Sequence, residues 1–141
     1  MPPYAELHCI SNFSFLKGAS HPEEMVERAK TLGYRAIAIT DECSFAGIVR
    51  AHVAAQAVDI QLLIGSEFRL QEGTRFILIA KNRSGYGYIA NLISTARRRA
   101  PKGDYYLSYK DFVETESNCI AVWLPNAEAL QEILAKEMAC L

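Results

Sequence analysis

Ala36-Ile37-Ala38-Ile39-Thr40, running into Asp41-Glu42-Cys43-Ser44, decides how the rest of this chain is read. In an extended segment Ile37 and Ile39 share one face, and Ala36, Ala38 and Thr40 share the other. Neither face is charged, which is the pattern of a parallel strand covered on both sides. A helical pattern ends just before it at Gly33, and another begins just after it near Ser44. Two carboxylates and a thiol therefore stand where a buried strand opens into a loop. In parallel α/β proteins ligands bind at the carboxyl ends of the strands. The stretches around His8 and Glu67 read as neighbours of this one.

Working outward, Tyr4 to Cys9 reads as a short strand, and Ser11 to Gly18 as a loop carrying Phe13 and Phe15. Ser20 and Glu23 have capping-box spacing, and Pro22 suits a first helical turn. Met25, Val26, Ala29 and Leu32 then share a face, with Gly33 as the residue that ends the helix. Downstream, Ser44 to Val58 reads as a second helix containing His52. Ile60 to Leu70 is a strand holding Gly65-Ser66-Glu67, Gln71 to Thr74 a turn, and Arg75 to Ala80 a strand, the pair forming an antiparallel hairpin. A helix from near Ser84 places Tyr86, Ile89, Ile93 and Ala96 at helical spacing. It closes on Arg97-Arg98-Arg99, whose cations complement the helix dipole. Pro101-Lys102-Gly103-Asp104 breaks the chain. Tyr105 to Asn118 is poorly periodic, with Ser108 placed to cap a short helix through Val113. Cys119 to Leu124 is a fifth strand, and Asn126 caps a final helix with Leu130, Ile133, Leu134 and Met138 inward. The order βαβαββα(α)βα predicts an α/β fold with mostly parallel strands and right-handed crossovers, in a single domain over residues 1–141.

A chain of 141 residues is long enough for one domain with its own core. Half of its residues are hydrophobic, 22% are charged and the net charge is −1, so no global field draws it to nucleic acid or an acidic membrane. No apolar run approaches the ~20 residues of a membrane helix. Met1-Pro2-Pro3 lacks the basic start and apolar core of a secretory signal. A cytoplasmic protein with no membrane partner is expected. Cys9, Cys43, Cys119 and Cys140 show no CxxC spacing, which argues for buried free thiols over a zinc ribbon or redox motif.

Several stretches, in order, resemble one family. Tyr4-Ala-Glu-Leu-His8 through Ser20 is similar to the opening of the polymerase and histidinol phosphatase (PHP) domain, which begins the alpha subunit of bacterial family C DNA polymerases. Thr40 to Ser44, Gly65-Ser66-Glu67-Phe68, Ala80-Lys81-Asn82 and Gly85-Tyr86 continue the likeness. The Thr-Asp-Glu-Cys-Ser turn and Arg97 to Gly103 resemble its error-prone branch, linked to damage-induced mutagenesis. The resemblance covers Tyr4 to about Leu124. It implies a partial PHP-type distorted (β/α) barrel, the first half of a seven-stranded domain. The polymerase catalytic carboxylates, and the Mg²⁺ they use, would belong to the full-length protein and not to this segment. The rest of the polymerase and DNA are the partners it implies.

Active PHP domains hold metals with clustered His, Asp, Glu and Cys ligands and use them to activate water for phosphoester hydrolysis. Measured against the motifs of that family, this sequence departs at four places. The expected His-x-His is His8-Cys9-Ile10, and the expected Thr-Asp-His is Thr40-Asp41-Glu42. Lys17 stands where an acid is expected, and Arg75 where a histidine is expected. Glu67 is kept. The metal-ligand candidates are therefore His8, Glu42 and Glu67, with Asp41 and Cys43 nearby. Three formal ligands allow at most one weakly held Zn²⁺ or Mn²⁺, and Lys17 and Arg75 compete with it by forming ion pairs. No bound cofactor, no catalytic residue and a scaffold role are expected, against two rivals: a free-standing metal-dependent phosphoesterase and a non-catalytic interaction module. The bland alternative for His8 is a hydrogen-bonded histidine at a strand end. His21 is expected in solvent and His52 in a structural position. The arginine run reads first as a solvated helix end and only second as a contact for DNA phosphates, and Tyr105 and Tyr106 offer bases a stacking surface, without a basic and aromatic alternation to support it. Half a barrel leaves sheet edges unpaired, which predicts that the isolated chain self-associates, most simply as a symmetric dimer.

Overall fold

The computed structural model describes residues 2–112, 118–128 and 131. Its elements are β1 (Ala5–Cys9), α1 (Pro22–Thr31), β2 (Ala36–Ile39), α2 (Ile48–Val58), β3 (Gln61–Arg69), β4 (Arg75–Ala80), α3 (Arg83–Arg98) and β5 (Cys119–Leu124), with a single 3-10 turn at Tyr109–Asp111 before β5. The strands lie side by side in sequence order, β1-β2-β3-β4-β5. β1, β2 and β3 pair in parallel, while β4 is antiparallel to both β3 and β5. Four of the five described strands thus run in one direction and β4 runs in the other. The mostly parallel reading holds for strand direction. Of the four strand pairings, however, two are antiparallel: β3–β4, whose Gln71–Thr74 turn is too short for a crossover, and β4–β5.

The quoted strand explains the layering. All four residues of β2 are buried. Ile37 and Ile39 pack with Val26 and Ala29 of α1 and Ile48 and Ala51 of α2. Ala38, on the opposite side, packs with Ile77 and Ile79 of β4, with Leu63, Val122 and Leu124 partly buried around them. Burial of Ile39, which is 0% exposed, contributes about 2 kcal/mol. α3 covers the other half of the helical face, setting Ile89, Leu92 and Ala96 against Phe68, Phe76 and Leu78. The three helices therefore coat one side of the sheet, and the other side is an inner face. Among the described residues, no helix is long and apolar enough to cross a membrane.

Several boundaries move by physical cause. α1 is capped at His21, not Ser20: the Glu24 carboxylate accepts the His21 N–H at 2.8 Å, and Pro22 takes the first position. Gly33 adopts φ +76 after the helix, as its sequence position suggested, whereas Leu32 is 48% exposed instead of joining the core. α2 starts at Ile48, not Ser44, because Ser44 closes a local turn by accepting the Ala46 N–H at 3.1 Å. The short helix expected from Ser108 reduces to the 3-10 turn, and its extension to Val113 lies outside the described residues. So do Leu130, Ile133, Leu134 and Met138 of the expected final helix, and Cys140.

Candidate functional site

Three strand ends bring the candidate residues together on the inner face. β1 carries one extra residue relative to β2 between Glu6 and Cys9, which pair with Ile37 and Ile39. Such a bulge re-aims a side chain, and here it lets His8 reach across β2. Its Nε2 stands 2.8 Å from Glu67 Oε2. Glu67 lies late in β3 and is 3% exposed. Its other oxygen accepts the Arg75 Nε–H at 3.1 Å and a second guanidinium N–H. Arg75 opens β4 across the hairpin, two positions along from the partner of Glu67. Glu42 follows β2 and forms an isolated parallel bridge with Glu67. The Cys43 N–H donates to the Glu67 carbonyl at 2.9 Å, and the Glu67 N–H to the Asp41 carbonyl at 3.1 Å.

The Glu42 side chain is held from two sides. One oxygen pairs with the Lys17 ammonium, and the other accepts the Tyr105 hydroxyl at 2.8 Å. Burial pushes its carboxyl up, but these hydrogen bonds outweigh burial and hold it below the ordinary value of 4.5. The same contact, added to burial, raises the Tyr105 phenol. Arg75 is held more firmly protonated, first by its hydrogen bond to Glu67.

The two secondary candidates turn elsewhere. Asp41, 1% exposed, faces the loop after β1: its carboxylate accepts the Ser11 N–H at 2.8 Å, the Ser11 hydroxyl at 2.6 Å and the Ser14 hydroxyl at 2.7 Å. Cys43 packs into the helical side of the sheet with Phe68 and Leu70, and burial pushes its thiol up to about 11. A protonated thiol in a hydrophobic core is a poor ligand. Cys9 is similar, its thiol pushed up to about 12 by burial.

Sequence reasoning missed four residues here. Ser11 and Ser14 lie in a segment without period. Tyr105, for which the sequence offers base stacking without a supporting pattern, is buried and hydrogen-bonded to Glu42, while Tyr106 is 44% exposed. Arg97 reads in the sequence, with its neighbours, as part of a solvated helix end, with DNA contact as the lesser alternative. Its guanidinium instead donates to the carbonyls of Cys43 at 3.2 Å, Glu42 at 3.3 Å and Asp104 at 3.2 Å, and it lies over the Tyr105 ring at 5.3 Å. Arg99 pairs with Asp111, and Arg98 donates to the Ser94 carbonyl. All three guanidinium groups thus hold partners within the chain, Arg98 and Arg99 on its exposed surface. His21 is exposed, as expected, and bonds Asn12; His52 is exposed on α2, away from the cluster.

The donor set does not fit a metal. Both carboxylates that face the inner side already hold a cation, and the imidazole is spent on one of them. Among the described residues, no group of three or more His, Cys, Asp or Glu side chains is arranged to hold a metal ion. The local chemistry is that of an ion-pair network, two anions against two cations, with Tyr105 and His8 bound to the carboxylate oxygens that the cations leave.

The fold belongs to a known class. The chain belongs to the PHP domain family, which matches residues 6–137. Within it, the chain is 54% identical over 124 residues to the error-prone DNA polymerase of Methylococcus capsulatus, covering 86% of this chain and 12% of that one. It is 52% identical over 126 residues to the error-prone DNA polymerase of Pseudomonas aeruginosa, covering 89% and 12%. The chain spans about an eighth of the length of the curated relatives it matches. Among solved structures it is similar to one described as a metal-dependent phosphoesterase of Bifidobacterium adolescentis, with TM-score 0.58, 26% identity, and coverage of 70% of this chain and 34% of that one. An amidohydrolase of Chromobacterium violaceum, at TM-score 0.57 and 24% identity over 67% of this chain and 33% of that one, shares the fold.

Proposed function

We propose that this chain is the opening PHP segment of an error-prone DNA polymerase and serves it as a structural platform, not as a phosphoesterase. The names of its relatives support the first part. The second rests on one observation: Lys17 and Arg75 bind the carboxylates, Glu42 and Glu67, on which a metal would depend. An ammonium and a guanidinium supply the positive charge there and cannot polarise a water as a divalent ion does. Nucleotide transfer, DNA contact and the Mg²⁺ it uses belong, in this reading, to the much longer remainder of the polymerase.

The test supplies Zn²⁺ or Mn²⁺ to the chain, follows binding by calorimetry and follows hydrolysis of a chromogenic phosphoester. The expected result is neither saturable one-to-one binding nor turnover. Turnover that disappears in His8→Ala and in Glu67→Ala overturns the platform reading and establishes a free-standing phosphoesterase.

A further inference from the structure

Arg69 ends β3 directly opposite Arg75 of β4. Directly opposed side chains stand on one side of a sheet, and like charges there repel. The two arginines are not equivalent. Arg75 is neutralised by Glu67. Among the described residues, no carboxylate pairs with the exposed Arg69 guanidinium; its backbone N–H donates to the Tyr105 hydroxyl at 2.9 Å. An unpaired arginine set against another costs the fold stability and gives it no contact in return. The group it suits is an anion from outside.

Arg69 lines an open cleft of about 480 Å³ together with Lys17, Glu42, Arg97 and Tyr105. Four cations, Lys17, Arg69, Arg75 and Arg97, gather at it against three carboxylates, Glu42, Glu67 and Asp104, an excess of one positive charge on a chain whose net charge is −1. Arg97 already donates to three carbonyls, and Lys17 gives Glu42 one of its three N–H donors. The Arg69 fork and the other Lys17 donors remain for a ligand. A carboxylate carries the single charge that the excess matches, and its two oxygens fit the planar fork. A run of phosphates fits less well, since each further charge meets Glu42 and Glu67. Phe13, 39% exposed, and Phe15, 84% exposed, line the same cleft and offer their rings to an apolar group beside the carboxylate. The volume holds one or two side chains, which suits a short segment and not a folded face. We propose that the cleft binds an acidic peptide of a separate protein, with a Glu or Asp carboxylate between Arg69 and Lys17 and a flanking apolar side chain on Phe13 and Phe15.

The experiment titrates the 141-residue chain into a fluorescent peptide that carries one central Glu between two Leu residues, and follows anisotropy at low salt. The expected result is saturable binding that weakens about tenfold in Arg69→Ala, in Phe15→Ser and when Gln replaces the peptide's Glu, and that falls as salt is added. Arg69→Ala is also expected to unfold in urea at a midpoint no lower than the parent's, because the charge it removes opposes Arg75. A lower midpoint gives Arg69 a role inside the fold and overturns the proposal. So does a parent chain that shows no saturable binding, or one that binds the Gln peptide equally well. An equal loss in Arg35→Ala, exposed at the other end of β2, overturns it in favour of a general field. Tighter binding of a short oligothymidylate than of the peptide overturns it in favour of nucleic acid.

Discussion

Asp41 and Glu42 are adjacent at the end of β2, but they are held by different kinds of donor. Asp41 sits in a cage of neutral groups, two serine hydroxyls and a backbone N–H. Glu42 shares with Glu67 a network of charged partners, Lys17 and Arg75. The neutral cage fixes a loop to a strand. The charged network satisfies two acids that the inner face would otherwise bury unpaired. Neutral donors give geometry without altering net charge, whereas the cations set the charge of the site. The first arrangement belongs to the fold, and the second decides what chemistry the fold can hold.

The comparison is broken most severely at the cage. Asp41→Ala strands three buried donors at once and releases the loop from β2. Unfolding in urea is expected to show a loss of about 3–5 kcal/mol. Arg75→Ala comes next. It leaves Glu67, 3% exposed, with His8 as its remaining side-chain partner. Because Arg75 is itself half-exposed, the cost falls below that of breaking a fully buried pair, to about 2 kcal/mol. Adding Glu67→Gln should recover most of it, and a double-mutant cycle measures the recovery. No such rescue is expected by changing Ser11 or Ser14 in the Asp41 variant.

Lys17→Ala is the mildest test and the sharpest on charge. Lys17 is well exposed, so the loss near neutral pH is below about 1 kcal/mol. Its signature lies in acid. Glu42 has a depressed folded value, so its contribution is present above the ordinary 4.5 and is lost as pH falls through the folded value. Without Lys17, burial pushes the carboxyl back toward its ordinary value, so the loss of stability that Glu42 contributes on acidification is smaller in the variant than in the parent chain. Urea midpoints measured from about pH 7 to pH 3 give the answer.

The fold was largely legible because its signals are local. The apolar run at 36–39, the hairpin at 61–80 and the strand at 119–124 each announce themselves by pattern and turn chemistry. β4 and β5 have the predicted boundaries. Helix starts were less legible, since the capping signature at Ser20 is superseded by His21, and the stretch from Ser44 first closes a local turn before α2 begins. The convergence of His8, Glu42 and Glu67 followed from strand order. What could not be read was which neighbours complete the network. Tyr105 reaches Glu42 across 63 residues, from a stretch with no period. Arg97 looked like one cation of a solvated helix end until its carbonyl partners appeared. Asp41 and Cys43 were grouped with Glu42 by adjacency, but successive residues at a strand end point to different sides.

The two ion pairs also act as a ratchet. A sequence that drifts back toward a metal centre must shed Arg75 or Lys17 before an imidazole at position 10 or 42 has anything to share. The Arg75 step, taken alone, leaves a buried acid with His8 as its remaining side-chain partner and forfeits a sizeable part of the ~5–15 kcal/mol by which a domain stays folded. Single substitutions therefore descend into a valley before any metal affinity is available to climb out of it.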